Sequence, residues 1–277
     1  MDDLHLDDLR IDSLVDLIRA SFFLEEWSKM FQISDKLLLS ANKVYSKQKK
    51  ALEAGKRYVF DDRKRHIVYY LGYSHMSKGI ALYNMKRFEE SKECIKQYID
   101  LSWLDDGSKE AKEEVEFFKL FARGNSYTVC LLEGELEVLD SYVQFLKESR
   151  PEELFPGLIT ILEAALRHNF NVDEVIQSFK TDVLNTISYY ENQNNMTRHL
   201  TKYYHKMSLY LFREGNYKEA VHYTLKALEL SDKFNDMVFD KKSTALFEEA
   251  SDLLALVGME KLTILVVSHL LSKNHIK

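Results

Sequence analysis

Histidine and cysteine are the residues of this sequence that most often bind metals or act as nucleophiles. The nine histidines are scattered, and neighbours such as His199 and His205 are six residues apart, a spacing that puts two side chains on different faces of a helix. Cys94 and Cys130 are too few for a four-ligand site or a disulfide framework. Gly-rich phosphate loops and the HExxH, CxxC and GxSxG patterns do not occur in the sequence. We therefore expect no enzyme, no metal site and no cofactor.

Basic and aromatic residues are interleaved at positions 56–65, which read KRYVFDDRKR. Such a mixture can bind nucleic acid. However, Asp61 and Asp62 lie inside the cluster, and the formal net charge of the chain is −6. Because negative charge opposes binding to a polyanion, we favour a solvated loop over a nucleic-acid site. Residues 1–60 also lack a helix-turn-helix recognition helix, so we expect DNA binding only through a domain that this sequence does not contain.

Composition predicts an all-α fold. The 277 residues are 45% hydrophobic but include only 9 Gly and 2 Pro, the residues that short strands and tight turns require. Apolar runs are too short to span a bilayer, and the chain starts with the acidic MDD rather than the basic lead of a signal peptide. We therefore expect a cytoplasmic protein that does not enter a membrane.

The clearest repeat lies at residues 201–234. Apolar and small residues recur there at helical spacing on both sides of a Gly215–Asn216 turn. Gly215 tolerates a left-handed helix cap, Tyr217 packs back over the turn, and Ala220 lets the two helices approach closely. This unit resembles the 34-residue tetratricopeptide repeat at most signature positions.

Weaker copies of this unit occupy the rest of the chain. They lie at residues 11–57, 72–105, 120–153, 156–189 and 240–273, the last of which is broken at Gly258. We therefore predict one domain over residues 1–277, a right-handed α-solenoid of about six helical hairpins. The polar run ENQNN at 191–195 is either an ordinary loop between repeats or a joint between two subarrays.

The first helix of each stacked hairpin is expected to line the concave side of the solenoid. On these helices, Arg and Lys can hold a carboxylate, an Asn amide can bond a peptide group, and Leu or Phe can accept side chains. A solvated groove without a ligand is the alternative. The candidate peptide-binding residues are Asn125, Thr128, Arg167, His168, Lys202, His205, Leu209, Phe212 and Arg213.

Adjacent tyrosines occur at positions 69–70, 189–190 and 203–204. Neighbouring helical residues lie about 100° apart around the helix axis. We therefore expect one ring of each pair to fill the core and the other to face the groove.

Two segments carry a resemblance to a known family. FLEEWSKMFQISDKLL and YYHKMSLYLFREGNYKEAVHYTLKALELSDKFND are similar to the regulatory domains of bacterial peptide-pheromone receptors of the Rap, NprR and PlcR type. The resemblance implies a quorum-sensing regulator that holds a short signalling peptide in its groove, and Asn125 fits the Asn role that it implies. It further implies control of transcription through a helix-turn-helix domain absent from this chain, or control of a partner protein. The alternative is a protein-docking scaffold without a small ligand.

The segment EKLTILVVSHLLSK near the C-terminus is apolar on nearly every side, whereas a terminal solenoid helix needs a polar outer face. A packed-back segment, another partner or a second protomer can cover it, and we predict a homodimer. A charge introduced by Val267→Asp is then expected to separate the dimer into monomers. Light scattering after size exclusion measures the mass, and a mass that the substitution leaves unchanged would count against this interface.

Overall fold

The computed structural model describes residues 9–55, 63–190 and 197–233, together with residues 241, 242, 244 and 245. Regular structure in these ranges is helical and includes no β-strand, so the predicted all-α class is confirmed. None of the helices in these ranges is long and apolar enough to cross a membrane. The predicted hairpin at 240–273, including Val267, lies almost wholly outside the described residues, and the ENQNN run lies entirely outside them.

The chain forms two compact units, Met1–Glu133 and Gly134–Lys277. The boundary follows the helix that ends at Glu133, and Gly134 occupies the turn with φ +115°. The prediction of one repeat domain over residues 1–277 stays a prediction.

In the first unit, residues 1–133, helices that follow one another in sequence pack together. The helices are α1 (Ile11–Phe23), α2 (Trp27–Glu53), α3 (Ile67–Asn84), α4 (Phe88–Tyr98) and α5 (Lys109–Glu133), and a 3-10 turn covers Ser102–Leu104. α2 contacts α1 and α3, α4 contacts α3 and α5, and α3 also contacts α1 and α5. The hairpins predicted at 11–57 and 72–105 are therefore confirmed.

The second unit, residues 134–277, is built around contacts of α7 and α10. The helices described are α6 (Leu139–Glu148), α7 (Pro151–His168), α8 (Asp173–Ser178), α9 (Lys180–Tyr190), α10 (Thr197–Arg213) and α11 (Tyr217–Lys233), and a 3-10 turn covers Leu136–Val138. α10 packs on α7 and α11, which confirms the hairpin predicted at 201–234. The second helix predicted in the 156–189 repeat is instead split into α8 and α9, because the chain turns at Phe179 and buries this ring at 1% exposure.

Three hairpins in the described part of the chain have the same type of turn between their two helices. The N–H group just before the second helix donates to a carbonyl five residues earlier, the bond of a Schellman motif. The pairs are Glu26 to Ser21, Arg87 to Leu82 and Asn216 to Leu211, each with an N···O distance of 2.9 Å. The preceding residues, Glu25, Lys86 and Gly215, all have positive φ. Only Gly215 could be recognised from the sequence, because a glutamate and a lysine give no signal of this conformation.

Two of these hairpins are also tied by a buried hydroxyl group where their helices cross. Ser91 Oγ on α4 donates to the carbonyl of Gly79 on α3, and Ser208 Oγ on α10 donates to the carbonyl of Ala220 on α11, both at 2.8 Å. Each hydroxyl therefore satisfies its donor inside the protein and adds about 1 kcal/mol. The small residues at these crossings bring the hydroxyl and the carbonyl within bonding distance.

We predict that Gly72→Ala destabilises the first unit. A methyl group on Gly72 would lie 2.5 Å from Cδ2 and Cε2 of Phe118, a ring with 0% exposure that cannot swing into solvent. Overpacking of this kind costs about 1–3 kcal/mol, which exceeds the gain of roughly 1 kcal/mol in helix propensity. Urea unfolding of both proteins measures the difference.

Gly79→Ala is the matched control, because it lies on the same helix and its added methyl group would be 3.3 Å from Cβ of Cys94. Its cost should be the smaller of the two. A second control is the cycle with Phe118→Ala, in which the penalty of Gly72→Ala should disappear. A Gly72→Ala protein as stable as the wild type would show that α3 and α5 do not pack this closely.

His75 on α3 makes stability depend on pH. Burial, together with the positive charge of Lys78, lowers the pKa of His75 to about 4, and Asp35 only partly opposes this shift. The unfolded chain protonates near pH 6.5, so stability is lost as the pH falls from about 6.5 towards 4. We expect His75→Gln to reduce the loss between pH 7 and pH 5 by roughly 1–2 kcal/mol. Urea midpoints of both proteins at the two pH values test this, and equal losses would contradict it.

Candidate functional site

The first helices of the hairpins carry the predicted peptide-binding residues. In the first unit these helices are α1, α3 and α5. α3 is in contact with both of the others, and α5 holds Asn125 and Thr128. In the second unit they are α7 and α10, also in contact, and they hold the other seven predicted residues. Each group is therefore described within its own unit.

A cluster of charged side chains bridges α7 and α10. Glu163 Oε1 accepts a hydrogen bond from Arg167 Nη2 at 3.1 Å, and Glu163 Oε2 lies 3.3 Å from Nζ of Lys206. Lys202, one turn before Lys206, adds a further positive charge close to this carboxylate. We call Glu163, Arg167, Lys202 and Lys206 the α7–α10 charge cluster.

Three positive charges surround the carboxylate of Glu163 in this cluster. Burial alone would raise the pKa of Glu163, but the charges of Lys206, Lys202 and Arg167 outweigh burial and lower it. Glu163 is therefore ionised at neutral pH, and the four side chains together carry three positive charges and one negative charge. An arrangement of this kind can hold a second carboxylate between two first helices.

Sequence reasoning identified Arg167 and Lys202 as ligand residues, but it missed Glu163. The signal that could have found it is the spacing of Glu163 and Arg167, four residues apart, which puts them on one helix face. Lys206 comes from another hairpin, and no local spacing predicts which residues of α7 it meets.

Arg213 was predicted to bind peptide, but the structure shows it at the end of α7. Its Nη2 donates to the carbonyl of Phe170 at 2.8 Å, and its Nη1 donates to the carbonyl of Ala165. The guanidinium also pairs with Glu214 and lies 4.9 Å from the centre of the Tyr210 ring. Arg213 thus binds one carbonyl group in the last turn of α7 and one just after this helix ends. We therefore leave Arg213 out of the proposed peptide site.

Four further predicted residues of the second unit are half-buried. His168 packs against the turn at Gly134, where an added methyl group would lie 3.1 Å from its Cε1 atom. Phe212 contacts Tyr217, with ring centres 6.3 Å apart, so it supports the α10–α11 turn. His205 and Leu209 lie along α10 between the cluster and this turn. Phe212 therefore has a visible structural role, as Arg213 does.

Asn125 and Thr128 differ in accessibility. Asn125 is half-buried, and its Nδ2 donates to the hydroxyl group of Tyr98 on α4 at 2.8 Å. Thr128, one turn further along α5, is only 6% exposed. The Asn125 amide thus has an internal partner, and its role in peptide binding stays a prediction, whereas Thr128 points into the protein.

The expectation for the tyrosine pairs was wrong where it can be examined. Tyr69 and Tyr70 are 4% and 0% exposed, and Tyr203 and Tyr204 are 2% and 6% exposed. Both rings of each pair are buried because α3 and α10 have neighbouring helices on more than one side. The side chains of the pair at 189–190 lie outside the described residues.

An aromatic cluster on α3 and α5 was not predicted. Tyr73 stacks on Tyr69, with ring centres 5.3 Å apart, and Phe117 lies against Phe121 at 4.4 Å. Arg65 covers the Tyr69 ring at 4.1 Å. Phe117 is 36% exposed, so this residue offers apolar contact area on α5.

A metal site is not apparent in the described ranges, because they bring together no group of three or more His, Cys, Asp or Glu side chains that could hold an ion. The charge cluster itself contains one carboxylate and three cations. It is therefore suited to an anionic group rather than to a cation.

Residues 73–102 and 201–234 match the family model of the tetratricopeptide repeat. These segments coincide with the α3–α4 and α10–α11 hairpins, the two that share both the turn and the buried hydroxyl bond. Neither a curated protein nor a solved structure was found to match the chain. The chain thus contains a tetratricopeptide-type helical domain, and repeats of this type indicate a scaffold for protein–protein interaction.

Proposed function

We propose that this chain is an intracellular peptide-binding sensor domain of the quorum-sensing type, which controls a partner protein or a promoter when a short signalling peptide binds. The observation that carries the proposal is the α7–α10 charge cluster. Its cations come from α7 and α10, two helices that are in contact, and they surround the carboxylate of Glu163. The resemblance of the two sequence segments to pheromone-receptor domains supports the same function.

The cluster is suited to a peptide that presents a carboxylate, either at its C-terminus or on a side chain. Lys202 and Lys206 supply ammonium donors, and Arg167 supplies a planar guanidinium that can bind both carboxylate oxygens. Glu163 holds Arg167 and Lys206 in position before the ligand arrives, which reduces the entropy lost on binding. A bound carboxylate would bring the local charge closer to zero.

Occupancy can be transmitted because the cluster joins two hairpins. A ligand that contacts both α7 and α10 favours the relative position of these helices that it binds more tightly. In a repeat array each repeat contacts mainly its neighbours, so a shift at one interface changes the curvature of the array. We propose that this shift, or a change of the homodimer predicted from the C-terminal segment, is the output signal.

A docking scaffold without a small ligand is the second candidate, and one observation favours it. Trp103 is 61% exposed and lies edge-on against Tyr45 of α2, with ring centres 5.7 Å apart. An exposed tryptophan supplies a large contact area for a protein surface. This residue lies outside the first helices, so it can serve a partner that never enters the groove.

The test is affinity selection from a library of short random peptides prepared with free and with amidated C-termini, read out by native mass spectrometry. We expect peptides with a carboxylate to be retained. The Lys202→Glu/Lys206→Glu variant is expected to bind them at least tenfold more weakly, because it places further carboxylates at the cluster. The control Lys180→Glu/Lys218→Glu has the same charge change on α9 and α11 and should bind like the wild type.

Asn125→Ala is a separate test in the first unit, and we expect this substitution to weaken peptide binding. Because Asn125 also bonds Tyr98, the control is Tyr98→Phe, which removes that bond but keeps the amide. Loss of binding in Asn125→Ala alone would assign the amide to the peptide. Retention of no peptide by the wild type, or equal losses in the cluster variant and its charge control, would refute the sensor and leave the scaffold.

A further inference from the structure

Arg19 on α1 binds the hydroxyl groups of two tyrosines on α3. Its Nη2 donates to the hydroxyl oxygen of Tyr69 at 3.1 Å, and its guanidinium also forms a hydrogen bond with the hydroxyl group of Tyr73. The two rings are stacked, with centres 5.3 Å apart and planes inclined by 15°. Both hydroxyl groups therefore lie beside one guanidinium. We call Arg19, Tyr69 and Tyr73 the α1–α3 donor site.

The two hydroxyl groups of this site keep their protons available. Arginine has no acceptor atom, so in both bonds Arg19 donates and the tyrosine oxygen accepts. Within the described ranges, neither hydroxyl proton has an acceptor. Burial raises the pKa of Tyr69, and burial also raises the pKa of Tyr73 to about 12. Both groups therefore remain protonated and able to donate at neutral pH.

Two other buried tyrosines show which kind of group the donor site lacks. Tyr70 accepts from a backbone N–H group and donates its proton to the carboxylate of Asp12 at 2.6 Å. Tyr210 also accepts from a backbone N–H group and donates to the carboxylate of Asp173 at 2.8 Å. In the α1–α3 donor site the same chain of bonds starts at a guanidinium and stops at the hydroxyl proton. A carboxylate would complete it.

The carboxylates closest to the site do not supply this acceptor. Asp16 Oδ1 lies 3.4 Å from Nη1 of Arg19, but its side chain is 65% exposed and acts on the tyrosines only through its charge. Glu114 is held by Arg65, whose Nε donates to it at 2.9 Å. A guanidinium has more N–H donors than these contacts of Arg19 use. The site therefore offers open donors from two kinds of group, N–H and O–H.

The donor site can be reached from outside the protein. The side chain of Arg19 is 51% exposed, and Tyr73 is half-buried. Both residues belong to first helices, α1 and α3, which are expected to line the concave side of the first unit. An external group can therefore approach the guanidinium and the hydroxyl groups together.

We propose that the α1–α3 donor site binds a carboxylate group of a polypeptide ligand. One carboxylate oxygen would accept from the tyrosine hydroxyl groups and the other from open N–H groups of Arg19. A single guanidinium and two neutral hydroxyl groups match one negative charge, whereas Asp16 and Glu114 oppose the two charges of a phosphate.

This binding site is separate from the one in the proposed function. It lies in the first unit, whereas the α7–α10 charge cluster lies in the second. A carboxylate can therefore bind at Arg19 whether or not the charge cluster holds a peptide, and variants of one site leave the residues of the other unchanged.

NMR of the arginine Nε–Hε groups of the full chain tests the proposal, and Arg19→Lys identifies the Arg19 signal. The probes are acetyl-glutamate methylamide, its neutral glutamine counterpart, acetyl-alanine and inorganic phosphate, all at one ionic strength. We expect a saturable shift of the Arg19 signal with the two carboxylate probes and none with the glutamine probe. The tighter of the two carboxylate probes shows whether a side chain or a C-terminus supplies the group. Tyr73→Phe, which keeps the ring but removes one donor, should weaken binding about fivefold.

The matched control in the wild type is Arg87. It is 43% exposed, pairs with Glu90 three residues away and lies 5.3 Å from the ring of Phe31, but a phenylalanine offers it no hydroxyl group. Its signal should shift little and without saturation. Equal shifts at Arg19 and Arg87, equal effects of the glutamate and glutamine probes, or tighter binding of phosphate at Arg19 would overturn the proposal. So would unchanged affinity in a Tyr73→Phe protein that circular dichroism shows to be folded.

Discussion

Burial of a helix on more than one side is the constraint on which this structure depends. α3 contacts α1, α2, α4 and α5, and α10 contacts both α7 and α11. Such a helix cannot have one polar half, and on α3 the buried residues include Ile67, Val68, Tyr69, Tyr70 and Leu71 in direct succession. Where a neighbouring helix packs very closely, the contact position needs a residue with little or no side chain. Gly72 is the clearest case, because the ring of Phe118 occupies the space that a side chain at this position would need.

Polar groups inside these contacts are satisfied by partners from other elements. Tyr70 donates its hydroxyl to Asp12 of α1 at 2.6 Å and accepts from the N–H group of Arg65 at 3.2 Å. Tyr210 donates to Asp173 at 2.8 Å and accepts from the N–H group of Val172 at 3.0 Å. Each buried tyrosine therefore connects a central helix to the start of another element. Burial and the acceptor Asp173 raise the pKa of Tyr210 to about 12, so this link does not titrate at neutral pH.

The sequence could predict the elements much better than the contacts between them. Helix class and the hairpins around Gly215 and Phe88 depend on local spacing, which is visible in one sequence. The positive charge of Arg167 and Lys202 follows from the residue types alone. The contact of Lys206 with Glu163 and the capping of α7 by Arg213 depend on residues more than 40 positions apart. Reasoning by helix register placed Arg213 on the groove side, but it could not show that α7 ends within reach of this side chain.

The same limit applies to the proposed peptide site. Glu163 and Arg167 lie four residues apart, so their pairing can be read from α7 alone. The α7–α10 charge cluster exists only after two helices have packed, because Lys202 and Lys206 belong to α10. A site of this kind changes when the packing changes, and this dependence is what a ligand-operated sensor requires.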